Sequence, residues 1–515
     1  MSFSGSNGAT QKPPRARRER PGAPSLWLHA ARACALYGAL FCGAVQASGL
    51  ASLPLESCQL SSAAAHAAAA ARCGRLAVPE NRDEPGGKIL RLHVAVIPAL
   101  RLQPEPDPLF VLSGGPGQAA SDFYLSVAPA FARVRRDRDI VLVDQRGVGR
   151  SNRLDCALPD SGELAHVDLG RLDAAVQSCL AALPSDPRFY STSIAVRDLD
   201  EVRAALGYER VNVYGVSYGT RVAQHYMRRY PQRVRAAILD GVIPPDEALG
   251  PGIPLAAQRA LDALFEGCAA DGACAQRFPE LPRRFAALRA RLLREPLTLE
   301  IPDPLTARPV TISLGAAELA GAVRLLSYSD ETASILPFLI HEAEAEGRPQ
   351  ALAAQYLMVS RTTQKLFAMG MHFAVVCSED APRWREDQEL EQALERTYIG
   401  PVFMHAMRTV CAQWPRGPVD ADFSEPLRTD IPVLLLSGGA DPATPPEYAQ
   451  RVLPGLQHAT HLLLAGQGHG QIAVGCIPRL AAQFIELGSA AALDEDCAAR
   501  VSPAPFLMSA SGPAP

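Results

Sequence analysis

The chain has 515 residues, a length that suits one large core carrying a substantial insertion better than a single small module. Hydrophobic residues make up 48% and charged residues 20%, the balance of a folded protein, which excludes a disordered or fibrous chain. The 50 basic and 54 acidic side chains leave a net charge of −4, so no global field favours nucleic acid or an anionic membrane surface as partner.

The amino terminus reads as a leader rather than as part of the fold. A basic segment, QKPPRARRER (11–20), precedes the apolar run ACALYGALFCGAVQA (33–47). Val45 and Ala47 place small residues at the −3 and −1 positions of a cleavage site, so a secretory signal over 1–47, cut near Ala47, is expected. The rival is an uncleaved anchor helix. No later apolar run is long enough to span a bilayer, so a polytopic membrane protein is excluded and no stable membrane partner is expected after cleavage.

Cys34 and Cys42 fall in the leader, which leaves ten of the twelve cysteines for the mature chain. An even number without C-x-x-C clustering suits disulfides in an oxidising compartment, against the alternative of scattered reduced thiols. Nearest-neighbour pairing would join Cys58 to Cys73, Cys156 to Cys179, Cys268 to Cys274, Cys377 to Cys411 and Cys476 to Cys497, a connectivity that sequence leaves open.

After the leader, short apolar runs alternate with helical stretches. Strands are expected at Gly74–Pro79, Ile89–Ile97, Leu109–Leu112, Ile140–Val143, Val211–Tyr214, Val234–Leu239, Ile431–Leu436 and His461–Leu464. Between them, helices are expected at Ser193–Leu206, stopped by Gly207, at Tyr218–Tyr230, stopped by Pro231, and at Ile472–Leu487. The alternation implies an α/β fold whose twisted sheet is mostly parallel and flanked by helices. Residues 246–430 have a different texture: helical periodicity at Ala256–Phe265, Arg283–Leu293 and Ala316–Leu326, and a hairpin over Thr298–Ser313. The organisation expected is therefore a first core part (48–245), a large and mainly helical lid inserted between late strands (246–430), a second core part (431–500) and a tail (501–515).

Gly215-Val216-Ser217-Tyr218-Gly219 is a G-x-S-x-G motif placed directly after a strand and at the start of a helix, as a nucleophile elbow requires. The glycines leave room for a tight turn that forces Ser217 into a strained conformation, and the helix start offers free N–H groups and a favourable dipole. A serine hydroxyl needs a base, and the base needs an orienting acid. Asp441 and His469 follow the last two strands in the chain order such a site uses, so Ser217, His469 and Asp441 are the expected catalytic set. The oxyanion donors expected are the backbone N–H groups of Tyr218 and of Gly115, the latter in the early turn Ser113-Gly114-Gly115-Pro116-Gly117. Asp144 and Arg146 are expected to brace a neighbouring loop. No H-E-x-x-H or clustered Cys/His spacing is present, so neither metal nor cofactor is expected.

These motifs carry a resemblance. SGGPG (113–117), DQRGVGRS (144–151), GVSYG (215–219), GGADPATPP (438–446) and GQGHG (466–470) resemble α/β-hydrolase-fold serine peptidases, more closely the proline iminopeptidase and secreted tripeptidyl aminopeptidase group. The likeness runs from about Cys73 to Cys497, and Cys377-Ser378-Glu379-Asp380 and Cys411-Ala412-Gln413-Trp414-Pro415 are similar to the secreted branch. Ser113 departs from the histidine that many iminopeptidases carry before Gly-Gly-Pro-Gly. The resemblance implies an exported serine hydrolase acting on small peptide substrates, releasing residues or tripeptides from a free amino terminus. Such a substrate carries an α-ammonium group at neutral pH, and a lid carboxylate could hold it; Glu379 and Asp380 are the candidates. Two other functions compete. One is a carboxylesterase or lipase acting on small esters, since acyl transfer to ester and amide uses the same parts. The other is a non-catalytic binding protein on a hydrolase fold.

Overall fold

The computed structural model describes residues 52–62, 66–156, 169–385 and 387–512; the expected leader, with Cys34, Cys42 and the cleavage point at Ala47, lies outside them. Eleven strands occur among the described residues: β1 Glu56–Ser62, β2 Ala67–Pro79, β3 Ile89–Ile97, β4 Leu109–Leu112, β5 Ile140–Val143, β6 Val211–Val216, β7 Val234–Asp240, β8 Leu297–Pro302, β9 Pro309–Leu314, β10 Val433–Gly438 and β11 Ala459–Leu464. Nine of them form one sheet in the order β1-β2-β3-β5-β4-β6-β7-β10-β11, while β8 and β9 make a separate hairpin. The pairings from β1 to β5 through β2 and β3 are antiparallel. Every pairing from β5 onward is parallel.

Strands β4, β5, β6 and β10 are buried along their whole length, which is why they read as unbroken apolar runs rather than as alternations. Their side chains still alternate between faces. Val433 and Leu435 enter one core with Val213 and Leu239, whereas Leu434 and Leu436 enter another with Val216 and Ile238. On the faces lie α1 Ala120–Val127, α3 Thr192–Ala205 and α4 Tyr218–Arg229, whereas α2 Leu169–Ala182 packs through Leu172 and Val176 against residues of the inserted helical segment.

Between β7 and β10 come α5 Gly252–Ala270, α6 Gly272–Arg277, α7 Leu281–Arg294, then the β8–β9 hairpin, α8 Ala316–Leu326, α9 Asp330–Ala333, α10 Leu336–Glu344, α11 Gln350–Leu366, α12 Met369–Glu379, α13 Gln388–Glu395 and α14 Val402–Gln413. The chain closes with α15 Pro446–Val452, α16 Ile477–Leu487 and α17 Asp496–Ala499.

Two departures from expectation have physical causes. Strand β1 and the Ala-rich half of β2 carry little intrinsic strand preference. They pair residue by residue, from Glu56 with Cys73 to Ser62 with Ala67, and the Cys58–Cys73 disulfide closes that hairpin. The helix expected from Ile472 starts only at Ile477, because the Gln471 and Ile472 amides are spent on the Asp240 carboxylate. The other four disulfides are Cys156–Cys179, Cys268–Cys274, Cys377–Cys411 and Cys476–Cys497, so nearest neighbours pair throughout.

The helical segment is not a separate body laid over the sheet. Helices α5, α7, α8, α10 and α11 share a core with the hairpin, but Met371, Ala374 and Val375 of α12 join the core beneath the sheet. A buried ion cluster fixes that junction. Arg221 of α4 donates from Nη1 to both Asp380 oxygens, at 3.0 and 3.2 Å, and from Nη2 to the Glu247 carbonyl. Asp380 also accepts from Arg383 and from the Leu249 amide. Replacing Asp380 with alanine strands the Arg221 charge without its main partner, with the Glu379 carboxylate 3.8 Å away as partial compensation. Asp380→Ala should therefore lose about 3 kcal/mol of stability, read as a lowered denaturant midpoint with an unchanged slope.

Candidate active site

The turn after β6 decides where the serine points. Ser217 has φ 55° and ψ −124°, a conformation that side chains rarely adopt and that persists only where the surroundings enforce it. Its neighbours make room for the turn: a Cβ built on Gly219 would sit 2.3 Å from the Leu112 carbonyl oxygen, and one on Gly215 would sit 2.3 Å from that of Gly219. Alanine fits neither. Tyr218 opens α4, so its N–H has no helical acceptor behind it and remains one of the free donors of the helix start.

Two loops at the ends of β10 and β11 bring the acid and the base together. Asp441 Oδ1 accepts from the Ala443 and Thr444 amides, both at 2.8 Å, while Oδ2 accepts from Thr444 Oγ1 at 2.8 Å and from His469 Nδ1 at 2.7 Å. The Asp441 side chain has no solvent exposure and that of His469 has 10%. Because the carboxylate only accepts, Nδ1 carries the proton, and Nε2 is the ring atom left to act as base. Burial disfavours the charged imidazole, yet the Asp441 carboxylate outweighs it, and the His469 pKa lies above the ordinary value of 6.5.

The serine and the imidazole share one corner. The Ser217 amide donates to the Asp240 carbonyl at 2.9 Å, and a Cβ on the next residue, Gly241, would lie 3.0 Å from His469 Cε1. The Asp240 carboxylate accepts from the Gln471 and Ile472 amides and from Tyr214, tying the histidine loop to the end of β7. Burial pushes this carboxyl up to about 6, against the pull of those hydrogen bonds.

Gly114, in the turn after β4, lies against the serine, and Gly115 follows it. A Cβ on Gly114 would lie 3.1 Å from Ser217 Cβ, and Gly115, with φ 112°, precedes a cis bond to Pro116. Ser113 Oγ donates to the Gln118 carbonyl at 2.7 Å, closing the turn on itself. The helical segment holds it from outside: the Ala368 amide donates to the Gly117 carbonyl at 2.9 Å, and His372 Nδ1 donates to that of Pro116 at 3.2 Å. Burial, with the Arg324 charge nearby, lowers the His372 pKa to about 4, so this imidazole stays neutral at ordinary pH. Behind the same loop Asp144 accepts from the Ser121 and Arg150 amides, and buried Arg146 forms a two-pronged pair with Asp198.

Glu379 and Asp380, expected as receptors for a substrate amine, lie beneath this constellation and already have partners. Both side chains have no solvent exposure. Asp380 is occupied by Arg221 and Arg383, and Glu379 accepts from the Thr192 amide and hydroxyl. Thr192 Oγ1 in turn bonds to the Tyr218 hydroxyl at 2.6 Å, so Glu379 reaches the elbow only through a relay. Burial raises the Glu379 carboxyl to about 7, beyond the opposing pull of Arg221.

Three contributors have no signature in the linear sequence: Asp240, Thr192 and His372. Thr444 does have one, since Asp441-Pro442-Ala443-Thr444 is the spacing of an aspartate that caps its own turn. Among the described residues no group of three or more histidine, cysteine or carboxylate side chains could hold a metal ion.

The chain is similar in sequence to several known proteins. Serine protease Hip1 of Mycobacterium tuberculosis is 26% identical over 417 residues, covering 73% of this chain and 77% of its own. Tripeptidyl aminopeptidase of Streptomyces coelicolor is 26% identical over 464 residues, 84% of each chain. Carboxylesterase B of Mycobacterium tuberculosis is 29% identical over 419 residues, 73% of this chain and 76% of its own. The sequence profile of the alpha/beta hydrolase fold matches residues 107–475, which span the elbow, the helical segment and both late loops, and the chain belongs to that family.

Proposed function

We propose that the protein is an exported serine aminopeptidase that removes residues or tripeptides from the free amino terminus of peptides. The observation that carries the chemistry is the 2.7 Å bond from His469 to buried Asp441, beside the strained turn that presents Ser217. Ser217 Oγ attacks the scissile carbonyl while His469 Nε2 takes its proton; the imidazolium then protonates the leaving amine. The N–H groups of Tyr218 and Gly115 hold the oxyanion that forms between these steps. Water repeats the sequence on the acyl-enzyme and restores the serine.

Peptide rather than ester as substrate is supported by the relatives named serine protease and tripeptidyl aminopeptidase. Export is supported by five disulfides, which persist in oxidising compartments, and by the leader read from the sequence. A second reading, hydrolysis of small esters, has its own support in the match to carboxylesterase B.

Ser217→Ala should lower turnover by roughly four orders of magnitude and abolish labelling by a fluorophosphonate, while leaving the thermal midpoint within a few degrees. Retention of activity in that variant refutes the mechanism. Chromogenic tripeptides should be cleaved with a free amine and resist once the amine is acetylated; equal rates on both forms, with faster turnover of short acyl esters, would favour the esterase. The base must be neutral to accept the serine proton, so activity should be lost as pH falls through the His469 pKa. The acid limb of kcat/KM should lie above about 6.5 and move down in Asp441→Asn, which removes the charge that raises it.

A further inference from the structure

The backbone beside His469 belongs to neither late loop. The His469 amide donates to the Tyr328 carbonyl at 2.7 Å, in the turn between α8 and α9. The Tyr328 ring stands edge-on to the imidazole, with centroids 5.2 Å apart and planes at 79°. The approach is close enough to dictate the preceding residue: a Cβ on Gly468 would lie 2.4 Å from the Tyr328 oxygen.

The ring is fixed in turn. Arg324, one helical turn earlier in α8, lies over it at 5.5 Å and donates to its hydroxyl at 2.9 Å. Two residues after Tyr328, Asp330 Oδ2 accepts from Gln467 Nε2 at 3.3 Å and from the Ala504 amide at 2.8 Å. Gln467 Nε2 also reaches the Ser502 carbonyl, and the Leu507 amide donates to that of Ser334. The histidine loop, the α8–α9 turn and the carboxyl-terminal segment thus meet at one junction.

From this geometry we infer that Tyr328 is a positioning residue for His469: its carbonyl seats the backbone of the base and its ring fixes the plane of the imidazole. The inference rests on the proposed role of His469 as base. It makes the helical segment part of the machinery that aims the proton acceptor, in addition to any part in covering substrate. The Asp441 bond alone leaves the ring free to rock about the Nδ1–Oδ2 line, and an edge-on aromatic contact opposes that rocking.

The test uses the full chain and the rate of labelling by a fluorophosphonate, which reports serine activation without requiring a peptide. Tyr328→Phe keeps the carbonyl and the ring and should label within about threefold of the parent. Tyr328→Ala should label roughly 10- to 100-fold more slowly, the scale of loss expected when a catalytic group is misplaced by about 1 Å. The acid limb of its labelling profile should move upward, since removing the ring relieves the burial that disfavours the charged imidazole. The charged groups facing that imidazole are Asp441 after β10, Asp240 at the end of β7 and Arg324 on α8, and all three are retained.

If Tyr328→Ala does not fold, Tyr328→Leu, which keeps apolar bulk but no ring, takes its place with the same slowing of labelling expected and no shift of the acid limb. A folded alanine or leucine variant that labels at the parent rate, or a folded alanine variant whose acid limb stays in place, overturns the inference. So does Tyr328→Phe falling as far as the alanine variant. A parent protein that fails to label contradicts the hydrolase mechanism itself, which separates the two failures.

Discussion

A carboxylate taken out of water must have its lone pairs answered, and at Asp441 four donors answer them: two backbone amides, the Thr444 hydroxyl and His469 Nδ1. Three come from within its own turn and hold the carboxylate rigid. The fourth is the imidazole, whose tautomer is set by the bond it makes. Once Nδ1 carries the proton, Nε2 is committed as acceptor, and the direction in which it points depends on the rest of the fold. Without this pairing the serine turn would be strained to no chemical purpose.

Two further carboxylates occupy similar depth and are put to other use. Asp240 spends its oxygens on Tyr214 and on the amides just after His469, so it anchors the loop that carries the base. Asp380 spends its own on arginines and an amide at the seam between α4 and α12. Burial raises the pKa of both, and each is compensated in part by the donors around it. The chemistry of a carboxylate here follows from what surrounds it, not from its presence near a nucleophile.

The segment between β7 and β10 does more than enclose a space. Ala368 and His372 grip the turn that contains Gly115, and Tyr328 grips the loop that contains His469. Both halves of the site therefore receive contacts from residues that a simple division into core and cover would leave out. The ion cluster around Arg221 ties that segment to α4, and the Cys377–Cys411 disulfide joins α12 to α14 within it.

Much was legible in the linear chain because the relevant signals are local. Fully buried parallel strands read as short apolar runs, the elbow glycines mark a turn that tolerates no side chain, and the order of Ser217, Asp441 and His469 along late strands follows from how such a sheet is wound. The Ala-rich β1–β2 hairpin escaped because alanine signals neither period, and only pairing partners decide its state. What the tertiary structure alone decided is which donor meets which buried carboxylate: Glu379 and Asp380 look like free acids in sequence, but Arg221, 159 residues before Asp380, pairs with Asp380 and Thr192 occupies Glu379. Likewise no pattern marks Tyr328 as the neighbour of His469, since contacts between distant segments depend on packing that local periodicity does not encode.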